Sequence, residues 1–256
     1  MDASTDWIKT TWQAGKAWWR EHEHKPTTAK PEREPAHGIV PIRALGASHR
    51  ERIAQHLLQL SPADRYLRFG YAAKDAQIRR YVEQIDFARD ELFGVFNRRL
   101  VLIAVAHLAL PASDEHRQCA EFGVSVLPRA RGRGLGARLF ERAVLHARNV
   151  GVRMVFIHAL TENTAMLNIA RKAGAVVQRD GTESEAYLSL PPAGFDTRMA
   201  ELVGQQVAEV DYQLKKQAQQ FWAFLAGVQE VRQNIPESAE PATSQTTPQD
   251  GQTKAK

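Results

Sequence analysis

The sequence predicts an α+β domain that carries helical extensions at both ends. Three observations predict it. Residues 121–137, EFGVSVLPRARGRGLGA, read as a strand, then a loop of glycines and arginines, then the start of a helix. Strand-like runs recur at 92–96, 100–110, 154–160, 175–179 and 186–190, with helix-like periodicity between them. Both ends differ in composition from this middle, so one medium domain with extensions fits 256 residues better than one large domain.

Taken in order, residues 1–25 place Trp7, Ile8, Thr11, Trp12, Gly15, Trp18 and Trp19 on one helical face. Asp2, Ser4, Thr5 and Asp6 offer N-caps. Such a face suits a membrane interface or another helix. Only Lys9, Lys16 and Arg20 accompany it, and Glu21 and Glu23 follow, which favours packing on protein; peripheral membrane contact stays open. His22 and His24 read as solvated, with no ligand cluster near them. Pro26, Pro31 and Pro35 mark 26–37 as a semi-extended linker.

The domain is expected over 38–192. It opens with a strand at 38–45. Ser48 is expected to cap a helix whose Ile53, Leu57, Leu58 and Leu60 face inward. In the segment 60–69, LSPADRYLRF, Tyr66, Leu67 and Phe69 read as packing residues, with Arg65 and Arg68 at the surface. Residues 75–90 read as a helix with Ile78, Tyr81, Val82 and Ile85 on one face. Two strands follow, turning near Asn97, and 111–118 is a polar loop. In the central strand Phe122, Val124 and Val126 alternate with Gly123 and Ser125, and Pro128 ends it. Beyond the loop, Leu135, Leu139, Ala143 and Ala147 share a helical face, and Gly151 stops that helix. A buried strand at 154–160 precedes a helix started by Asn163 and ended by Gly174. A hairpin across Asp180-Gly181 completes the domain, and Pro191-Pro192 closes it.

From 195 to 234 the pattern is one long helix. Val203, Val207, Val210, Leu214, Gln217, Phe221, Phe224, Val228 and Val231 alternate spacings of four and three, a heptad-like seam. The seam suits a coiled coil, either with the tryptophan helix or with another copy of the chain. Residues 235–256, rich in Pro, Ser, Thr and Gln, are expected to be disordered.

Composition narrows the function. The single Cys119 excludes an internal disulfide and suits a reducing cytoplasm. No run of about 18 apolar residues predicts a membrane span, and no secretory signal is read at the start. The formal charge of +5 is mild, and Arg129, Arg131 and Arg133 cluster in one loop rather than along a face, which argues against nucleic acid.

The loop itself points to an anion. Glycines let backbone N–H groups converge without a Cβ in the way, and the new helix adds unpaired N–H groups at a positive dipole end. Together they suit a phosphate or pyrophosphate. Gly132 to Ala137 fit G-x-G-x-x-A, but Leu127 to Ala130 separate it from the strand and no repeated βαβ array surrounds it. A P-loop needs Gly-Lys-Ser/Thr where this chain has Leu135-Gly136-Ala137.

The pattern R-x-x-G-x-G, met by Arg131, Gly134 and Gly136, resembles the coenzyme A pyrophosphate loop of the GNAT superfamily of acyl-CoA-dependent N-acyltransferases. V-x-V at Val124 and Val126 before the loop, and Glu162-Asn163-Thr164-Ala165-Met166-Leu167 followed by Arg171-Lys172-Ala173-Gly174 after it, extend the resemblance over 39–190. The segment 60–69 is similar to one in the branch that includes bacterial protein-lysine acetyltransferases. The resemblance implies a mixed, mostly antiparallel central sheet flanked by helices, with acetyl-CoA as co-substrate and no metal. It implies that Val124, Ser125 and Val126, the loop residues Arg131, Gly132, Arg133, Gly134, Leu135, Gly136 and Ala137, and Asn163 near the pantetheine arm hold the coenzyme. Tyr66, Tyr71 and Tyr81 become candidate acceptor contacts.

Acyl transfer to an amine needs a base for the amine proton and a donor for the developing oxyanion. In the resembled family the acceptor attacks the thioester directly and a strand-edge N–H polarises the carbonyl, a task that falls to Val124 and Val126. Ala120-Glu121-Phe122 matches the setting in which the protein-acetylating branch carries a glutamate, so Glu121 is the expected general base, with His158 second. Ala170 stands where many members carry a tyrosine general acid. The expected function is acetyl transfer from acetyl-CoA to a protein lysine or a small-molecule amine. The alternative is an acyl-CoA sensor or scaffold acting through its helical extensions.

Overall fold

The computed structural model describes residues 40–110 and 118–233, without the side chains of 195, 214, 217–219 and 221–233. The expected tryptophan helix, the linker and the C-terminal tail lie outside these residues.

Seven strands form one sheet: β1 (Arg43–Ala44), β2 (Glu91–Phe96), β3 (Leu102–Ala109), β4 (Cys119–Val126), β5 (Met154–Leu160), β6 (Val176–Asp180) and β7 (Glu183–Ser189). Their order is β1-β2-β3-β4-β5-β7-β6. Every neighbouring pair is antiparallel except β4 and β5. The helices are α1 (Arg50–Leu58), α2 (Pro62–Phe69), α3 (Asp75–Glu83), α4 (Leu135–Asn149), α5 (Thr164–Lys172) and α6 (Phe195–Gln233).

The strands alternate, so each feeds two cores. One face of β4 sends Ala120, Phe122, Val124 and Val126 against α4, where Leu139, Phe140, Ala143 and Ala147 are buried. Across the sheet, α1 and α3 pack Ile53, Leu57, Ile78 and Val82 on Leu92, Leu102 and Val105. The apolar stripe read on α4 is the buried one, and Gly151 (φ 87°) ends that helix in the left-handed conformation a C′ glycine supplies.

Several expectations need correcting. The first strand spans two residues among those described, not 38–45. Ser48 caps no helix: it lies inside a 3-10 turn, and its hydroxyl faces His49 Nδ1 at 3.4 Å. The helix read over 75–90 ends at Glu83, because Arg89 N and Asp90 N turn back to Asp86 O. The hairpin turns on Gly181-Thr182, one residue later than read, with Gly181 at φ 58°.

The chain divides into two units after Lys216. In the first, α6 turns Thr197, Glu201 and Ala208 inward and leaves Val203, Val207 and Val210 exposed. Within this unit the helix is held through Thr197, Glu201, Ala208 and Tyr212 rather than through Val203, Val207 and Val210. Glu201 Oε1 accepts from Arg142 Nη1 (2.8 Å) and lies 2.6 Å from His146 Nδ1, and Asn149 donates to Oε2. The seam from Gln217 onward lies in the second unit, where the side chains are not described. No helix among the described residues is long and apolar enough to cross a membrane.

Candidate active site

The site begins where β4 and β5 part. Their parallel pairing covers only Cys119–Glu121 against Met154–Phe156. Leu127 N donates to Ile103 O, so residues 127, 125 and 123 spend their backbone groups on β3. The alternation then turns the N–H and C=O of Val124 and Val126 toward the parting. Val126 O accepts from Arg131 Nε (3.2 Å).

The glycine loop stands at the end of this edge. Gly132 and Gly134 hold φ of 74° and 71°, and Gly134 is the N-cap of α4 with no side chain to cap it. The first helical bond is Arg138 N to Gly134 O, so the N–H groups of Leu135, Gly136 and Ala137 have no acceptor within the helix. A Cβ at Gly136 would stand 3.2 Å from Ile169 Cδ1, so this glycine lets α4 and α5 approach each other.

A groove of about 450 Å³ joins these features. Val124, Ser125, Val126, Arg131, Gly132, Gly134, Leu135, Gly136, Ala137 and Asn163 all line it. Arg133 is exposed and is not among the lining residues. Arg131 lines the rim with its guanidinium 2.5 Å from Asp64, clipping the loop to α2. Asn163 caps α5 by accepting from Met166 N, and its amide donates to Leu67 O (3.3 Å).

Sequence reading missed the wall opposite the loop. Asp64, Leu67 and Arg68 of α2 line the groove. The signal was present: Ser61 accepts from Asp64 N as N-cap, with Pro62 at the first helical position. Once that helix is recognised, 64, 67 and 68 fall on one face. Arg65 and Arg68 are therefore not simple surface residues. Arg65 is largely buried, donating to Leu58 O, Leu60 O and Ala73 O. Tyr66 and Tyr71 are exposed and outside the groove lining.

Ser125 is fixed by His56, which is fully buried. His56 Nδ1 faces Leu102 O at 2.9 Å and must carry the proton there. Burial pushes this histidine down to about 4, so it is neutral and Nε2 is an acceptor. The Ser125 hydroxyl donates to it at 2.9 Å and has no proton left for the groove. Ala170 is fully buried.

Glu121 lies two residues before Gly123 and so on the same face of β4, set back from the groove lining. Burial pushes its carboxyl up to about 7, against the opposing pull of the Arg68 guanidinium. Arg68 lies flat on Gly123: a Cβ there would be 2.7 Å from its Cζ. Arg68 Nη2 donates to Tyr81 Oη (3.0 Å), and Tyr81 Oη is 2.6 Å from His107 Nδ1. His107 Nε2 faces Asp90 Oδ2 at 3.2 Å. His158, by contrast, stands against Glu183 (3.6 Å) and Glu185 (4.0 Å), and none of these three lines the groove. Cys119 packs on Met154, Phe156 and Tyr187, and burial pushes its thiol up, away from a reactive thiolate.

The arrangement offers three open N–H groups at a helix start, an open strand edge and a half-buried carboxylate. It suits a ligand with an anionic end and an amide-bearing arm.

The model of the Acetyltransferase (GNAT) family matches residues 53–175. Acetyltransferase PA5475 of Pseudomonas aeruginosa is 31% identical over 150 residues, 57% of this chain and 79% of that protein. The GNAT domain of S. lividans PAT shares the fold at TM-score 0.50 and 21% identity, over 58% of this chain and 89% of that one. The structure of yncA, a putative acetyltransferase from Salmonella typhimurium with its cofactor acetyl-CoA, aligns at TM-score 0.48 and 16% identity, over 61% of this chain and 97% of that one.

Proposed function

The chain belongs to the GNAT family of acetyltransferases, and from that premise we propose that it moves an acetyl group from acetyl-CoA directly to an amine, with Glu121 as general base. The observation that carries the reading is a half-buried carboxylate, pushed up to about 7 by desolvation, on the strand whose open edge lines the groove. The N–H groups of Leu135, Gly136 and Ala137 would hold the pyrophosphate, and the edge at Val124 and Val126 would hold the pantetheine amides. When bound, acetyl-CoA supplies the thioester carbonyl.

The amine nitrogen attacks that carbonyl carbon, the carbon–sulfur bond breaks, and the thiolate leaves. Glu121 takes the amine proton, directly or through one water. A backbone N–H of the β4 edge stabilises the oxyanion. Ser125 has no free proton and Ala170 has no hydroxyl, so the thiolate takes its proton from solvent. The acceptor is a protein lysine or a small amine.

The test measures acetyl-CoA binding and thiol release together, against a panel of amines and peptide lysines. Gly134→Glu is expected to abolish binding, by placing a charged side chain at the helix start. Glu121→Gln is expected to leave binding within about twofold and to slow release by about 10²–10⁴-fold, the usual contribution of a general base. Binding without release on any acceptor would overturn the reading.

A further inference from the structure

We propose that Asp90, His107 and Tyr81 form a strut that positions the Arg68 guanidinium beside Glu121, and that it works by holding still rather than by moving protons. The proposal rests on Glu121 being the base.

The strut runs across three elements. Asp90 precedes β2, His107 lies in β3, Tyr81 in α3, and Arg68 at the end of α2. His107 pairs with Gly123 across the sheet, so both share the face that carries Glu121. Arg68 reaches that face because Gly123 has no side chain.

The two ends dictate every proton between them. A guanidinium only donates, so Tyr81 Oη accepts from Arg68 and its own O–H points to His107 Nδ1. Nδ1 is then an acceptor, and the single proton of the neutral ring sits on Nε2, facing the Asp90 carboxylate. Burial holds His107 below its ordinary range, which keeps the ring neutral despite Asp90. Asp90 is anchored in turn by Arg89 Nε (3.1 Å) and Leu110 N (3.3 Å). The proton order is thus fixed from the guanidinium to the imidazole, and His107 closes on Asp90 by the 3.2 Å approach of its Nε2 to the carboxylate rather than by an aligned hydrogen bond. The arrangement therefore fixes geometry, with a carboxylate at its far end and a cation at the site.

A cation held there has two effects on transfer. It favours the ionised form of Glu121, and it repels the ammonium form of an incoming amine while tolerating the neutral form. The other groups around Glu121 are limited. Phe156 of β5 stands opposite it, and His158, further along the same face, is turned to Glu183 and Glu185.

The test compares His107→Leu, His107→Gln and Tyr81→Phe, reading kcat/KM against pH with acetyl-CoA binding as the check on folding. His107→Leu and Tyr81→Phe release Arg68. The acidic limb moves to higher pH, and kcat/KM below it falls about threefold to tenfold. His107→Gln retains one acceptor and one donor without a titrating ring, and restores the limb toward wild type. A glutamine variant as impaired as leucine would overturn the strut in favour of proton movement through His107. A leucine variant with an unmoved limb would overturn it altogether. Failure of the base assignment reads differently, as a limb that persists in Glu121→Gln.

Discussion

At the scale of single residues, the proposed chemistry turns on what burial does to Glu121, its proposed base. A carboxylate at the surface is ionised well below neutrality and is a weak base; this one titrates near 7 because its charge is costly to bury. The base must be ionised to work, so kcat/KM should rise as pH climbs through about 7 and level off above it. Gly123 gives an independent handle. A methyl group at this position meets the Arg68 guanidinium at 2.7 Å, and the flexible side chain is what yields. Gly123→Ala should therefore leave the fold intact while moving the acidic limb upward, as a pH profile beside a melting curve would show.

At the scale of elements, the groove is the product of one strand, one loop and three helix ends. Its strand and loop were legible in the sequence because their signals are local. V-x-V at Val124 and Val126 follows the pleat, and the glycine spacing follows a backbone that must enter left-handed conformations at Gly132 and Gly134. Gly134→Ala keeps the space open but forces a Cβ into φ 71°, which should cost about 1–2 kcal/mol in urea unfolding and weaken acetyl-CoA binding. The opposite wall was not legible, although Ser61-Pro62 announces α2, because its Tyr66, Leu67 and Phe69 carry the pattern of packing residues and nothing local aims Asp64 and Arg68 at the loop. Arg68, Tyr81, His107 and Asp90 lie far apart in the chain, and only the register of β3 against β4 brings them together. No spacing in a sequence encodes such a meeting. The heptad seam was legible as a pattern but not as a contact, since polar Glu201, not Val203 or Val207, finds partners on α4.

At the scale of the whole molecule, that partner set makes the C-terminal helix conditional on pH. Burial alone would raise Glu201, but Asn149, His146 and Arg142 together hold its carboxyl below the usual range. For His146, burial lowers the ring, and Glu91 and Glu201 outweigh it and raise it. The depressed carboxyl stabilises the fold above its unfolded value and loses that contribution as pH falls through its folded value. The raised imidazole stabilises below its unfolded value and loses that as pH rises through its folded value. The two overlap between about pH 4.3 and 6.5, the unperturbed carboxylate and imidazole values. Glu201→Ala leaves Arg142 buried without its partner, and should cost about 3 kcal/mol there in thermal or urea unfolding. The gap from wild type should narrow at lower pH, and lose its His146 share toward alkaline pH.

The brief pairing of β4 with β5 has a mechanical consequence. Among the described residues, three residues of parallel ladder and the bonds of Arg153 N and Met154 N to Gln118 O seam two ribbons, β1 to β4 and β5 to β7, into one sheet. On the proposed binding mode, an amide-bearing arm laid along the β4 edge would take hydrogen bonds that a neighbouring strand would otherwise make, and would tie β4 to the α2 and α5 walls of the groove. Stability would then become a function of occupancy: at a hundredfold excess over Kd, binding adds about 2.7 kcal/mol to the folded state. Backbone amides of β4 and of the first turns of α4 and α5 would exchange with solvent more slowly in step, as if a further strand had joined the edge.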